Sequence, residues 1–251
     1  MKFILNTLIC LLIIGCSSET EKKEQSESKP KEITPTKFVN LSENHIGFWV
    51  NEEYYKALKE SNSTKIAGES GNDDFYRISE VNSIMNMNIH EGAAENLILM
   101  DSENKGQIFN SDTTESYSKV EFQNGILLTD NKKYIKAPIG ENGLNELVNS
   151  AFISGKYLLN GIEIEFKANG TLTGLDSIQN FELNLDYNDA GMQYDKIYLQ
   201  FNNEKETRTY LYSFNSDTLT ISKIDCKTQA EDYDYCLEVE KGETIFKLIK
   251  K

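Results

Sequence analysis

The chain has 251 residues, with 26 Lys and Arg against 40 Asp and Glu and a formal net charge of −14. So acidic a surface repels phosphate backbones, which argues against nucleic acid as a partner, and it disfavours a binding face pressed on anionic lipid. The sequence holds two His, His45 and His90, far apart and with no paired-His metal spacing, and it has neither a nucleophile elbow nor a phosphate-cradling Gly loop.

In chain order, Lys2 precedes a short apolar run from residue 3 to residue 14, and the run breaks at Ile13-Ile14-Gly15-Cys16. Such a run is too short to span a bilayer, which takes roughly 20 apolar residues. A charged start, a short apolar core and a small residue before the break is the layout of an export signal. The four residues at the break resemble the lipobox of bacterial lipoproteins. The resemblance implies cleavage before Cys16 and lipidation of Cys16, which would hold the chain to a membrane. Residues 16–40 contain five Glu and five Lys with Ser, Thr and Pro and few apolar side chains. Such a composition cannot offset its ordering entropy by burial, so it predicts a disordered tether. Ser17, not Asp, follows the cysteine. By resemblance to Gram-negative sorting rules, this places the protein at the outer membrane, on its periplasmic face or at the cell surface.

The rest reads as strands. Asn51, with Glu52 and Glu53 in the following turn, predicts a helix through Tyr54, Ala57 and Leu58 that ends near Ser61. Strand patterns follow at 75–81, 84–90, 97–100, 107–110, 118–122, 126–129 and 133–136, with a hairpin signal at Asn124-Gly125. A second short helix is predicted over 144–149. Beyond it, Ile162-Glu163-Ile164-Glu165-Phe166-Lys167 alternates at every step, as do 181–187, 197–202 and 210–214, and 218–224, 237–240 and 244–249 complete the set. Turn signals stand at Asn160-Gly161, Asn169-Gly170, 203–205, 215–217 and Lys241-Gly242. The Asp101–Gly106 stretch departs from a calcium loop at Lys105 and reads as a plain loop. Asp225, Glu231, Asp232 and Asp234 read as a solvated acidic loop rather than a cation site. The tyrosines crowded into the second half (Tyr187, Tyr194, Tyr198, Tyr210, Tyr212, Tyr233 and Tyr235) read as strand residues. Cys226 and Cys236 remain as an even pair in an exported chain and predict a disulfide across a small hairpin-like loop.

Gly47-Phe48-Trp49 opens the first half and Lys133–Lys136 closes it, while Gly155-Lys156-Tyr157 opens the second and 245–250 closes it. The Gly47-x-Trp49 motif resembles the lipocalin signature. In that family the Trp plugs the closed end of an eight-stranded barrel, against a basic residue from a late strand. The second half is similar to the small lipocalin-like domains of bacterial lipoproteins. The expectation is an all-β chain, an antiparallel meander forming a lipocalin-like barrel or two small β units, with one or two short helices. Its parts are a signal peptide (1–15), a lipidated tether (16–40), a first β-rich half with a helix (41–140) and a second lipocalin-like half (141–251). The lack of a nucleophile–base pair and of a metal-ligand set predicts a non-enzymatic protein with no cofactor and no metal, and the resemblance implies a membrane-anchored one that binds a small apolar ligand or lipid inside a barrel. The alternative is a protein-interaction lipoprotein, an adhesin, inhibitor or assembly factor, that uses an acidic, Tyr-bearing exterior. A cavity inside the barrel would favour the first reading, and interiors filled by their own side chains the second.

Overall fold

Residues that alternate along the sequence alternate between the inside and outside of two curved sheets. The computed structural model describes residues 39–251 apart from 71–73, 81, 112–114, 139–142, 188–191, 203–206 and 231–235. The leader, Cys16 and the tether up to residue 38 lie outside the described residues, as do Glu231, Asp232, Tyr233, Asp234 and Tyr235.

The first sheet is a closed barrel in sequence order: β1 (Gly47–Asn51), β2 (Asp74–Ile78), β3 (Ser83–Asn88), β4 (Gly92–Met100), β5 (Lys105–Asn110), β6 (Ser116–Gln123), β7 (Ile126–Thr129) and β8 (Lys132–Lys136). Every pairing is antiparallel, and β1 returns to β8 with Val50 opposite Ile135. The second sheet comprises β9 (Gly155–Leu159), β10 (Ile162–Phe166), β11 (Leu172–Thr173), β12 (Ile178–Leu183), β13 (Lys196–Phe201), β14 (Thr207–Asn215), β15 (Thr218–Gln229) and β16 (Cys236–Lys250). Its order, β11-β10-β9-β16-β15-β14-β13-β12, is again a meander with first strand beside last. Its seam, between β11 and β12, is crossed by the bridge Thr171–Asn180 and by Phe181 N–H donating to Gly170 O at 2.8 Å. The chain thus forms two eight-stranded, lipocalin-like units, not one enlarged barrel. Tight hairpins need positive φ at both central residues. Asn124-Gly125 (φ 50°, 77°) and Asn160-Gly161 (φ 52°, 87°) supply it as their sequence predicts.

There are three short helices among the described residues, not one or two: α1 (Glu52–Ser61), α2 (Thr64–Glu69) and α3 (Gly143–Phe152). Asn51 caps α1, its Oδ1 accepting from Glu53 N at 2.9 Å, and Asn62 ends it in the left-handed region. The third helix starts one residue before, and ends three residues after, the predicted 144–149. The unexpected helix is α2, six residues capped by Ser63. Two further expectations are corrected. Lys241-Gly242 is not a turn: β16 runs through it, and a bulge brings Gly242 so close to Asp225 that a Cβ would stand 2.7 Å from the carboxylate. Strand β12 ends at Leu183 and β13 begins at Lys196, so Tyr187 and Tyr194 lie between strands rather than on one.

Two cores result. Inside the first barrel, Trp49, Tyr76, Ile98, Phe122, Leu127 and Tyr134 belong to a cluster in which no side chain is more than 7% exposed. The second core starts on the outer wall of the first barrel at Val50 and Phe75. It runs through Tyr54 and Leu58 of α1 and Val148 and Phe152 of α3, and fills the second barrel with Tyr157, Phe166, Ile197, Tyr212 and Leu248. Each such side chain contributes about 1.5–3 kcal/mol on burial, so packing rather than propensity holds these short helices.

A polar latch ties α2 to the second barrel. The Asp195 carboxylate accepts from Ser63 Oγ (2.7 Å), Thr64 Oγ1 (3.2 Å) and Lys65 N (2.9 Å). Thr64 also meets the hydroxyls of Tyr187 (2.6 Å) and Tyr212 (3.0 Å). Burial, with Asp195 nearby, pushes both tyrosine hydroxyls above their usual range, so they act here as neutral donors and acceptors.

Candidate functional site: closed barrel ends and a stapled arm

Gly47 and Trp49 lie on β1, and the Trp49 side chain belongs to the cluster inside the first barrel. Gly47 has φ 129°, and Trp49, 1% exposed, donates its Nε1–H to His45 O four residues back at 2.9 Å. Lys136, the last residue of β8 and the register partner of Trp49, holds its Nζ 5.8 Å from the indole ring. It also donates to Glu43 O (3.2 Å) and Asn44 O (2.9 Å). The second barrel repeats the device. Gly155 has φ 140°, Tyr157 donates its hydroxyl to Ile153 O, again four residues back, at 2.7 Å, and Lys250 Nζ lies 5.8 Å from the phenol ring and 2.6 Å from Phe152 O. At both ends a glycine leaves room for the lysine stem: a Cβ would stand 3.3 Å from Lys136 Cε at Gly47, and 3.2 Å from Lys250 Cε at Gly155. The same arrangement of glycine, aromatic ring and lysine thus recurs in both sheets.

Both histidines are engaged. His45 is buried and stacks on Phe122 at 4.0 Å, with Nδ1 accepting from Ser42 N at 3.3 Å. Burial foremost, then Lys136, lowers its pKa from 6.5. His90, on the exposed turn after β3, meets the Asp186 carboxylate at 3.2 Å. Among the described residues no group of His, Cys, Asp and Glu is placed to hold a metal ion.

On the first barrel a groove of about 740 Å³ lies over β5 to β8. One outward row across it reads Lys105, Glu121, Leu128 and Lys133, each in register with the next. The side-chain amide of Gln123, and then Lys105, hold the Glu121 carboxyl below the usual carboxylate range.

The second barrel carries an arm. Strand β14 pairs with β15 from Asn215–Thr218 to Leu211–Ser222, whereas β15 and β16 stay paired out to Gln229–Cys236 through several bulges. Bulges bend a strand and sharpen its twist, which frees the hairpin from the barrel's line. The Cys226–Cys236 disulfide staples it, with Cα atoms 5.7 Å apart. Gln193 fastens the arm's edge. Its Nε2 donates to Leu237 O (3.2 Å) and its Oε1 accepts from Val239 N (3.4 Å), the two bonds a neighbouring strand would make. Nearby, Leu211, Lys196 and Ser222 face outward in register yet are only 3%, 9% and 0% exposed. Beside the fastening, Tyr194 and Leu237 are each 40% exposed, and the Lys227–Glu238 pair (2.5 Å) lies along the arm. The sequence flagged Cys226 and Cys236 and read Tyr194 only as a strand residue, and Gln193 was invisible to it, since its partners lie 44 and 46 residues away.

Comparison of the chain with protein-family models, with curated proteins and with solved structures finds no match.

Proposed function

We propose that the protein is a lipid-anchored envelope lipoprotein, without enzymatic activity, that binds a protein partner on the outside of its barrels. The observation that carries this reading is the filling of both interiors. Trp49, Ile98, Ile108 and Tyr134 in the first barrel, and Tyr157, Phe166, Ile197 and Leu248 in the second, are all at most 1% exposed, which leaves almost no solvent-sized gap beside these large side chains. Recognition then falls to the exterior, where the stapled arm offers Tyr194 and Leu237 amid charge of both signs. Aromatic and aliphatic side chains ringed by polar ones are what protein interfaces use. The disulfide suits an oxidising compartment, as export through the leader requires, and the Ile13-Ile14-Gly15-Cys16 lipobox supplies the anchor to the outer membrane.

Native mass spectrometry of the purified mature protein tests the choice between exterior and interior recognition. The mass of the polypeptide acylated at Cys16 and nothing more is expected, and a stoichiometric, non-covalently co-purified apolar molecule or lipid would restore the barrel-ligand reading. Cys16→Ser tests the anchor. The variant is expected in the soluble fraction or as uncut precursor, and membrane attachment equal to wild type would end the lipoprotein reading.

A further inference from the structure

Beside the latch, whose Tyr187 hydroxyl donates to Asn184 O and accepts from Lys196 N, lies a cluster of side chains that the latch itself does not use. The Met192 thioether is met by two donors, Lys196 Nζ at 3.0 Å and Asn184 Nδ2 at 3.9 Å. Neither donor is there by chance of rotation. Asn184 is 7% exposed, its Oδ1 accepts from the Tyr198 hydroxyl at 2.9 Å, and its Nδ2 also donates to Asp186 O, so the amide's orientation is fixed. Lys196 is 9% exposed and stands on the outward face of β13. Burial lowers its pKa from the usual lysine value. A buried ammonium group needs strong acceptors, and a thioether sulfur is a weak one.

We infer that Met192 is an oxidation site, at which a peroxide converts the thioether to a sulfoxide whose oxygen is held by Lys196 and Asn184. The sulfur lone pair attacks one oxygen of hydrogen peroxide, the S–O bond forms as the O–O bond breaks, and the departing hydroxide takes the proton of the transferred oxygen and leaves as water. Sulfur loses two electrons and the peroxide gains them. Most methionine sulfoxides disrupt their surroundings, because an apolar group becomes polar among apolar neighbours. At Met192 the neighbours are already donors, and the new oxygen replaces a poor acceptor with a strong one. The consequence reaches the arm through the chain itself, since Gln193, the next residue, carries the two bonds to Leu237 and Val239. Tightening Met192 tightens that grip.

The experiment is graded treatment of the full mature protein with hydrogen peroxide, followed by peptide mapping and amide hydrogen exchange. Met85 and Met87, also half-buried, are the internal comparison. Met192 is expected to accumulate sulfoxide first, and the Val239 amide of the singly oxidised protein to exchange about fivefold to tenfold more slowly, the effect of about one strengthened hydrogen bond. Met192→Gln, which places a carbonyl oxygen near the same donors, should slow Val239 without any oxidant. Lys196→Met should abolish the slowing while leaving the thioether open to peroxide. Sulfoxide appearing first at Met85 or Met87, or a Val239 amide that exchanges as fast or faster after oxidation of Met192, overturns the inference.

Discussion

Replacing Asp195 by Ala removes the acceptor of three hydrogen bonds that join α2 to the second barrel. The donors are Ser63 Oγ, Thr64 Oγ1 and Lys65 N. A bond to a charged acceptor contributes about 1.5–3 kcal/mol, and a buried donor left unpaired costs about as much again. The full sum does not apply. Thr64 keeps its contacts to Tyr187 and Tyr212, and the half-buried site lets water reach part of the gap. The expected net loss is about 3 kcal/mol. For a folded part of this size that lowers the melting temperature by roughly 6–12 °C. Asp195→Asn keeps the shape and one carbonyl acceptor and should lose about 1 kcal/mol. Thermal unfolding followed by circular dichroism reads both, and a Ser63→Ala, Asp195→Ala double-mutant cycle should return a coupling of about 1 kcal/mol. A loss below about 0.5 kcal/mol for Asp195→Ala would show that packing of α1 and α3 alone joins the halves, and the latch argument would fail.

Cys226→Ser opens a loop with a sequence separation of 10; chain entropy puts its cost at about 2.5 kcal/mol, and hydrogen exchange should rise along the arm before it rises in the barrel. His45 has a folded pKa below 6.5, so the unfolded chain binds the proton more readily. The stability it allows is complete above pH 6.5 and falls as pH drops below that value; urea titrations from pH 7.5 to 5 should show the decline, and His45→Gln should flatten it. Gly174 has φ 90°, and a Cβ there would stand 2.2 Å from Glu163 O; Gly174→Ala should lower the melting temperature by at least 5 °C, from a loss of about 2 kcal/mol or more.

The strands were legible because period-two alternation survives in nearly all of them, and Asn-Gly pairs mark two of the tight turns. Strand β4 starts at Gly92 although Gly-Ala-Ala-Glu-Asn has little strand propensity, because pairing with β3 from Asn88–Gly92 onward recruits it. Lys241-Gly242 misleads for a related reason. In isolation the pair reads as a turn, but the long pairing with β15 carries β16 through it, and the glycine is needed for the close approach of Asp225. Helix α2 is too short to show a helical period, and its N-terminus is held by an aspartate about 130 residues away. Of the candidate site, the sequence disclosed the cysteines; Tyr194, which reads as a strand residue, stands instead before β13 and is 40% exposed. The contacts of Gln193, Met192 and Lys196 exist only once β13 and the arm are folded, so no local pattern announces them.

The twin closures give a sharper handle on whether the two barrels are built alike. In each, an aromatic side chain reaches back four residues to a carbonyl: Trp49 Nε1 to His45 O, and Tyr157 hydroxyl to Ile153 O. Ile153 is fully buried, so Tyr157→Phe leaves its carbonyl without that donor and should cost about 1–2 kcal/mol with no change in packing. Trp49→Tyr and Trp49→Phe both shrink the plug and share a cavity cost. The tyrosine keeps a donor on the ring, as Tyr157 does, so it should be the milder substitution by about 1 kcal/mol. Chemical denaturation of the three variants decides it. Equal losses for Trp49→Tyr and Trp49→Phe, with a neutral Tyr157→Phe, would mean that the rings act by bulk alone. The expected order means that each barrel closes on a directed hydrogen bond, leaving recognition to the outer wall.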